Sequence, residues 1–198
     1  MEVLLATANQ GKVKELKEML KGEDAGILSL NDFPDFPDIE ENGATFAENA
    51  MIKARTAALF TGLVTLADDS GLEVDALMGA PGVYSARFAG IPKNDGRNID
   101  KLLAELQGVP EKERTARFRC CLAIVNPGGR EYLTEGKVEG LILQSRRGKG
   151  GFGYDPVFYL PFLHKTMAEL SLDEKNSLSH RAQAFRKGMP VLKELLKG

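Results

Sequence analysis

Apolar residues recur along this chain in two periods, and the period changes with position. Val3-Leu4-Leu5-Ala6 is a short apolar run and predicts a first strand, followed by a turn at Thr7-Ala8-Asn9-Gln10-Gly11. From about Lys12 to Lys21 the spacing turns helical, with Val13, Leu16 and Leu20 on one face. Residues 31–43 are acidic and interrupted by proline, which predicts a loop. Thr45-Phe46-Ala47-Glu48 has the capping-box pattern and opens an alanine-rich helix to about Phe60, with Phe46, Ala50, Ala54 and Ala57 as its buried stripe. Leu63-Val64-Thr65-Leu66-Ala67 suits a buried strand that stops on Asp68-Asp69-Ser70-Gly71. Residues 79–96 carry Gly79, Pro81, Gly82, Gly90, Pro92 and Gly96 and read mostly as loop, before a helix over about 98–106.

Ala116 to Val125 reads as a long strand, Asn126-Pro127-Gly128-Gly129 as a turn, and Glu131 to Lys137 as the returning hairpin partner, with residues 138–143 continuing that sheet. Residues 146–156 form a basic, glycine-dense loop. The last helix is expected from about Ser179, its N-cap, to Lys187, with Met189-Pro190 breaking it. Strands alternate with helices in the first half and a hairpin dominates the second. The pattern predicts an α/β protein: a mixed β-sheet flanked by helices, one domain over 1–198 with two lobes and a central cleft.

Composition removes several function classes. At 198 residues and 43% hydrophobic the chain can build a substantial core, and a net charge of −2 gives no basic field, so no nucleic acid is expected as partner. The first apolar run has no basic region before it and is too short for a signal peptide or membrane span, so a cytoplasmic protein with no membrane contact is expected. Cys120 and Cys121 are strand neighbours pointing to opposite faces, which argues against a mutual disulfide, and no CxxC pair suggests zinc.

The candidate chemistry starts at Asp68-Asp69. Adjacent carboxylates at the carboxyl end of a strand need a cation, a shared proton or strong hydrogen bonds, and Mg²⁺ suits all-oxygen ligands; the same four residues also make good turn chemistry. Lys12 falls in the first turn of a helix, where a lysine opposes the dipole by a few tenths of a kcal/mol, roughly, unless an anion is present. Lys53 lies beside the buried stripe of its helix and either snorkels to water or turns toward the Asp pair. Glu40 and Glu41 are the nearest further carboxylates. Phe152-Gly153-Tyr154-Asp155 offers close backbone approach, an aromatic for stacking and an acceptor for a base N–H. His180-Arg181 at a helix start is a weak signal for an anion or a base.

Six segments in order resemble the inosine triphosphate pyrophosphatases, over the whole chain: Thr7-Ala8-Asn9-Gln10-Gly11-Lys12, Thr45-Phe46-Ala47-Glu48-Asn49-Ala50, Ala67-Asp68-Asp69-Ser70-Gly71-Leu72, Pro81-Gly82-Val83-Tyr84-Ser85-Ala86-Arg87, Gly151-Phe152-Gly153-Tyr154-Asp155-Pro156 and Ser179-His180-Arg181. Ala8 departs from the glycine frequent in that family. The resemblance implies an elongated α/β fold of two lobes, a homodimer, and Mg²⁺-dependent cleavage of ITP, dITP or XTP to the monophosphate and pyrophosphate. It implies Asp69 as general base and metal ligand with Asp68 as partner, and Glu40 as the second metal ligand with Glu41 as runner-up. The turn Thr7, Ala8, Asn9, Gln10, Gly11 and Lys12 would cradle the triphosphate, with Lys53 in the catalytic group. Ser70, Lys175, His180 and Arg181 would touch substrate, and Phe152, Gly153, Tyr154 and Asp155 would form the base pocket. A Maf-like pyrophosphatase acting on other nucleotides and a non-catalytic nucleotide sensor are the rival readings.

Overall fold

The computed structural model describes residues 2–22 and 25–197; residues 1, 23, 24 and 198 of the expected domain lie outside the described residues. Five helices and seven strands carry the fold. In chain order they are β1 (Glu2–Leu5), α1 (Gln10–Met19), β2 (Gly26–Ser29), α2 (Phe46–Thr61), β3 (Val64–Val74) and α3 (Asp95–Glu105). Then come β4 (Thr115–Val125), β5 (Glu131–Ile142), β6 (Phe158–Leu160), β7 (Lys165–Thr166), α4 (Leu172–Leu178) and α5 (His180–Leu195). The strands form one mixed sheet in the order β2-β1-β3-β4-β5-β6-β7. β1 is parallel to β2 and to β3, whereas β6 is antiparallel to both β5 and β7. This is the α/β class the periodicity predicts.

The chain divides into two compact units: Met1–Asp69 with Cys120–Gly136 and His180–Gly198, and Ser70–Arg119 with Lys137–Ser179. Each has its own apolar cluster. In the first, Val3 and Leu5 of β1 meet Leu16 of α1, Leu20 just after it, Leu122 of β4 and Phe185 of α5. In the second, Leu72 and Val74 of β3 meet Leu102 of α3, Ile142 of β5 and a tilted Phe118–Phe158 pair with ring centroids 4.4 Å apart. Among the described residues, no helix is long and apolar enough to cross a membrane.

Four boundaries differ from the sequence reading, each for a physical reason. β3 does not stop at Asp68-Asp69 but runs on to Val74, because Leu72 and Val74 have a second core to enter. α3 begins at Asp95, earlier than the apolar spacing suggests, because the Asn94 side chain caps it by accepting from Arg97 N at 2.8 Å. α5 is not broken at Met189-Pro190: Pro190 lies inside it and the helix continues to Leu195. An internal proline costs ~3 kcal/mol, but burying Leu192 and Leu195 returns roughly 3–6 kcal/mol. Helix α4, which the sequence reading lacks, ends on Ser179, whose N–H donates to Lys175 O at 2.9 Å, and α5 begins at the next residue.

The capping box of α2 forms in half. Thr45 Oγ1 accepts from Glu48 N at 3.1 Å, but Glu48 returns its bond one residue earlier, to Ala44 N at 2.7 Å. Gly62 closes that helix with φ of 69°, the left-handed conformation glycine tolerates. Cys120 and Cys121 are both buried on β4 and are not joined in a disulfide.

Candidate active site

In the first unit, the turn from β1 to α1 carries Lys12. Asn9 caps α1, its Oδ1 accepting from Gly11 N at 3.0 Å and Lys12 N at 3.3 Å, while Thr7 Oγ1 accepts from Asn9 N at 3.2 Å. The first N–H groups of the helix are therefore engaged, and what this terminus offers an anion is chiefly the Lys12 ammonium. Ala8 and Gln10 are exposed on the same turn. Lys12 Nζ lies 2.9 Å from the Asp68 carboxylate, which explains why the sequence tolerates a lysine at a helix start.

Because β3 continues through them, Asp68 and Asp69 are strand neighbours and point to opposite faces. Their partners differ accordingly. Asp68 takes Lys12, Arg181 Nε at 3.2 Å and the Cys120 thiol at 3.9 Å. Asp69 takes Asn49 Nδ2 at 3.2 Å and Lys53 Nζ at 3.4 Å. The two acids do not face each other, so the mutual repulsion expected of an adjacent pair is largely relieved by strand geometry.

Their acidities are driven apart. Burial pushes the Asp68 carboxyl up, but the charges of Lys12, Arg181 and Lys53 overcome it and hold the group far below the usual carboxylate range. For Asp69 burial prevails over Lys53 and Lys12, with Glu41 adding to it, and its pKa is raised. Burial pulls the Lys12 ammonium down despite Asp68. Burial also opposes the Lys53 ammonium, yet Asp69, Glu41 and Asp68 together raise it. Pairs of carboxyls whose environments separate them in this way mark acid and base roles.

Of the two loop glutamates, Glu41 is the one that reaches the site: its Oε2 lies 3.3 Å from Lys53 Nζ, which also holds Asp69. Glu40 is exposed. Glu41 and Asp69 are thus drawn together around one ammonium, next to the expected ligand Glu40. Among the described residues, no group of three or more His, Cys, Asp or Glu forms a ready metal cage. Two carboxylates gathered on a cation still fit Mg²⁺, which is commonly held by one or two carboxylates, waters and substrate phosphates.

Arg181 occupies an unexpected place. It is 2% exposed, pairs with Glu15 of α1 and donates to Asp68. Expected from the resemblance to touch substrate, it also links two buried acids. His180, which opens α5, is buried as well.

The second unit holds the other candidates. Asp155 Oδ2 accepts from Lys175 Nζ at 2.6 Å and Phe152 N at 3.0 Å, and the same ammonium stands 4.7 Å from the centre of the Phe152 ring. A Cβ at Gly151, where φ is 73°, would fall 2.0 Å from Asp155 Oδ2, so only glycine lets the loop close on that carboxylate. Gly153 N donates to Asp95 Oδ2 at 2.8 Å, and Tyr154 is buried with its hydroxyl on Ser85 O at 2.8 Å. Tyr154 is thus a structural member of the loop. Ser70 follows Asp69 on β3.

Sequence reasoning missed Glu15, Asn49 and Asp95. Asn49 precedes Lys53 by one helical turn and so shares its face; that spacing could have found it. Glu15 stands three residues after Lys12, next to the buried Leu16, a faint signal. Nothing local to Asp95 announces Gly153, since that contact is long-range.

Fold and site together define an α/β protein whose buried acid pair is held between lysines and an arginine, a donor set for handling anions. The chain belongs to the Ham1 family, whose profile matches residues 3–191. A dITP/XTP pyrophosphatase of Desulforamulus reducens is 57% identical over 98% of this chain and 97% of its own length. One of the same name from Geobacter sulfurreducens is 55% identical over 92% of both. A HAM1 protein from Coxiella burnetii superposes with a TM-score of 0.88 at 45% identity, covering 98% of this chain and 99% of that one.

Proposed function

We propose that this chain is a nucleoside-triphosphate pyrophosphatase. It hydrolyses non-standard purine nucleoside triphosphates (dITP, XTP and ITP) to the monophosphate and pyrophosphate, clearing deaminated purines from the cytoplasmic nucleotide pool. The observation that carries the chemistry is the divided acid pair, Asp68 pinned between cations and Asp69 raised in pKa, beside two lysines. The substrate class comes from relatives of this name that match nearly full length.

In this reading Asp69 accepts the proton of the attacking water. Its raised pKa makes it the better base of the pair, and the Asn49 amide holds the carboxylate in one orientation. Lys12 and Lys53 neutralise the charge of the triphosphate and of the departing pyrophosphate, with Thr7 and Asn9 shaping the turn around it. Lys53 stays protonated, since its neighbours raise its pKa. Glu41 and Asp69 are the residues that would hold Mg²⁺, which, when bound, supplies phosphate charge neutralisation and a more acidic water.

In the second unit, Phe152 stacks on the base and the Asp155 carboxylate accepts from N1–H. The donor to O6 is assigned to Lys175, whose ammonium lies 2.6 Å from Asp155 and 4.7 Å from the centre of the Phe152 ring. Ser70 and His180 remain as substrate contacts on the strength of the motif alone. Two such chains pair through the exposed Met78, Tyr84 and Ile91 of the second unit.

Pyrophosphate release from dITP, XTP, ITP, TTP and the standard purine triphosphates, with and without Mg²⁺, tests the reading. Release from the inosine and xanthine nucleotides with dATP and dGTP spared is the expected result. Preference for TTP would indicate a Maf-like enzyme, and binding of dITP without release would indicate a sensor.

A further inference from the structure

Glu15 is a buried charge for which the proposed chemistry has no use. It is 3% exposed on α1, among residues that face an apolar core, and a carboxylate there gives up its hydration. It pairs with Arg181, itself 2% exposed; Arg181 Nε lies 3.2 Å from Asp68 Oδ2, and Asp68 lies 2.9 Å from Lys12 Nζ. Four charges alternate in sign along this line: Glu15, Arg181, Asp68, Lys12. Three of them are buried, and the fourth ends the line at the side chain assigned to the triphosphate. The Cys120 thiol also lies on Asp68 Oδ2, at 3.9 Å.

The line balances only with all four members present. A guanidinium readily takes a carboxylate with two parallel bonds. Held on one arm by Glu15, Arg181 presents Asp68 with its Nε and leaves that carboxylate shared with Lys12. Without the Glu15 charge, Arg181 loses a counter-ion, draws Asp68 onto itself and turns its oxygens away from Lys12. We propose that Glu15 is a positioning residue: by holding Arg181 it fixes how Asp68 is divided between Arg181 and Lys12, and so sets where the Lys12 ammonium meets the triphosphate. The proposal rests on the reading of Lys12 as a triphosphate contact.

A double-mutant cycle on the full chain tests it, reading kcat and KM for pyrophosphate release from dITP, with circular dichroism melts as the check on folding. Glu15→Gln should raise KM by about tenfold with kcat changed less than ~3-fold, because it moves a binding charge and not the base. In a Lys12→Ala background the same substitution should add less than ~2-fold, since its effect passes through the missing ammonium. Glu15→Asp, which keeps the charge, should recover most of the lost KM; if Glu15→Gln does not fold, Glu15→Met, which also removes the charge at similar volume, takes its place in the cycle. An effect of Glu15→Gln that multiplies in full on the Lys12→Ala background, or no effect in the single variant, overturns the proposal and leaves the role of Lys12 standing. A Lys12→Ala variant with normal KM overturns the role of Lys12, and this proposal with it.

Discussion

Replacing Asp69 by asparagine keeps the side chain's shape and removes its charge. Asparagine Oδ1 can still accept from Asn49 or Lys53, which lie 3.2 and 3.4 Å from the native carboxylate, and Lys53 keeps Glu41 at 3.3 Å. The local frame should therefore survive while the base is lost. Loss of a general base costs ~10²-fold or more in kcat, equal to about 2.7 kcal/mol on the barrier. Stability should move the other way. Burial raises the Asp69 pKa, so the folded state prefers the neutral form and binds this proton before the unfolded chain does as pH falls. The group detracts from stability at neutral pH and the deficit recovers as pH drops through the raised folded value. Asp69→Asn should accordingly hold or raise Tm at pH 7. In the native enzyme kcat/KM should fall on the acid side at a pH above the ordinary aspartate value. Asp68→Asn is the contrasting control. Its folded pKa lies below the unfolded one, so its stabilisation is full above ~3.9 and is lost as pH falls toward the folded value. Neutralising it leaves Lys12 and Arg181 short of a counter-charge, at roughly 3–5 kcal/mol. Pyrophosphate release at saturating and at subsaturating dITP over about pH 5 to 9 and thermal melts of both variants supply the measurements. Turnover by Asp69→Asn within ~10-fold of native would show that Asp69 is not the base.

Lys12→Ala and Lys53→Ala should each weaken dITP by roughly 1.5–3 kcal/mol while leaving deoxyinosine binding nearly unchanged, by calorimetry; equal losses for nucleoside and triphosphate would place the lysines elsewhere. Phe152→Ala should lower kcat/KM for dITP and dATP together, because stacking, worth about 1–3 kcal/mol, is indifferent to the base. Lys175→Ala should narrow the ratio between them, and an unchanged ratio would remove Lys175 as the O6 donor. Sedimentation should find a symmetric homodimer that Met78→Asp or Ile91→Asp dissociates, since those side chains are 98% and 85% exposed; a native monomer at micromolar concentration would leave the patch without this partner. Phe88, which shares the same loop, packs on the second unit's own core and is not expected to matter.

Local pattern carried the elements whose signal lies within a turn or two of chain. The helical spacing of Val13, Leu16 and Leu20, and the hairpin turn at Asn126-Pro127-Gly128-Gly129, all stand where the periodicity puts them. Two of the misreadings share a cause: a contact distant in sequence overrode a local rule. Asp68-Asp69 looks like the end of a strand until Leu72 and Val74 have a core to enter. Pro190 looks like a helix end until Leu192 and Leu195 have one. The short strands β2, β6 and β7 and helix α4 have too few residues to show a period. At the site, motif spacing put Lys12, Lys53, Asp68 and Asp69 on the right elements. It could not say which acid meets which cation, because that depends on the face of β3 each one takes. Choosing Glu41 over Glu40 depends on a loop conformation that no periodicity encodes.

The placement of the two acids on β3 obeys parity. Val64, Thr65, Leu66 and Ala67, which lead up to them, are buried on both faces of the sheet, so the core barely distinguishes one alignment from the next. Pairing with β1, Leu5 opposite Leu66, is what fixes it. A single residue deleted between Val64 and Ala67 would hand Asp68 the side of the sheet that Asp69 now takes, and the base would exchange lysines with its neighbour. Such a deletion should abolish turnover and, because it also turns Leu72 and Val74 away from the second core, lower the melting temperature with it; retained turnover would mean that the strand slips back into alignment. The chain is thus bound to keep count along a stretch where its own side chains, residues 64–67, are interchangeable.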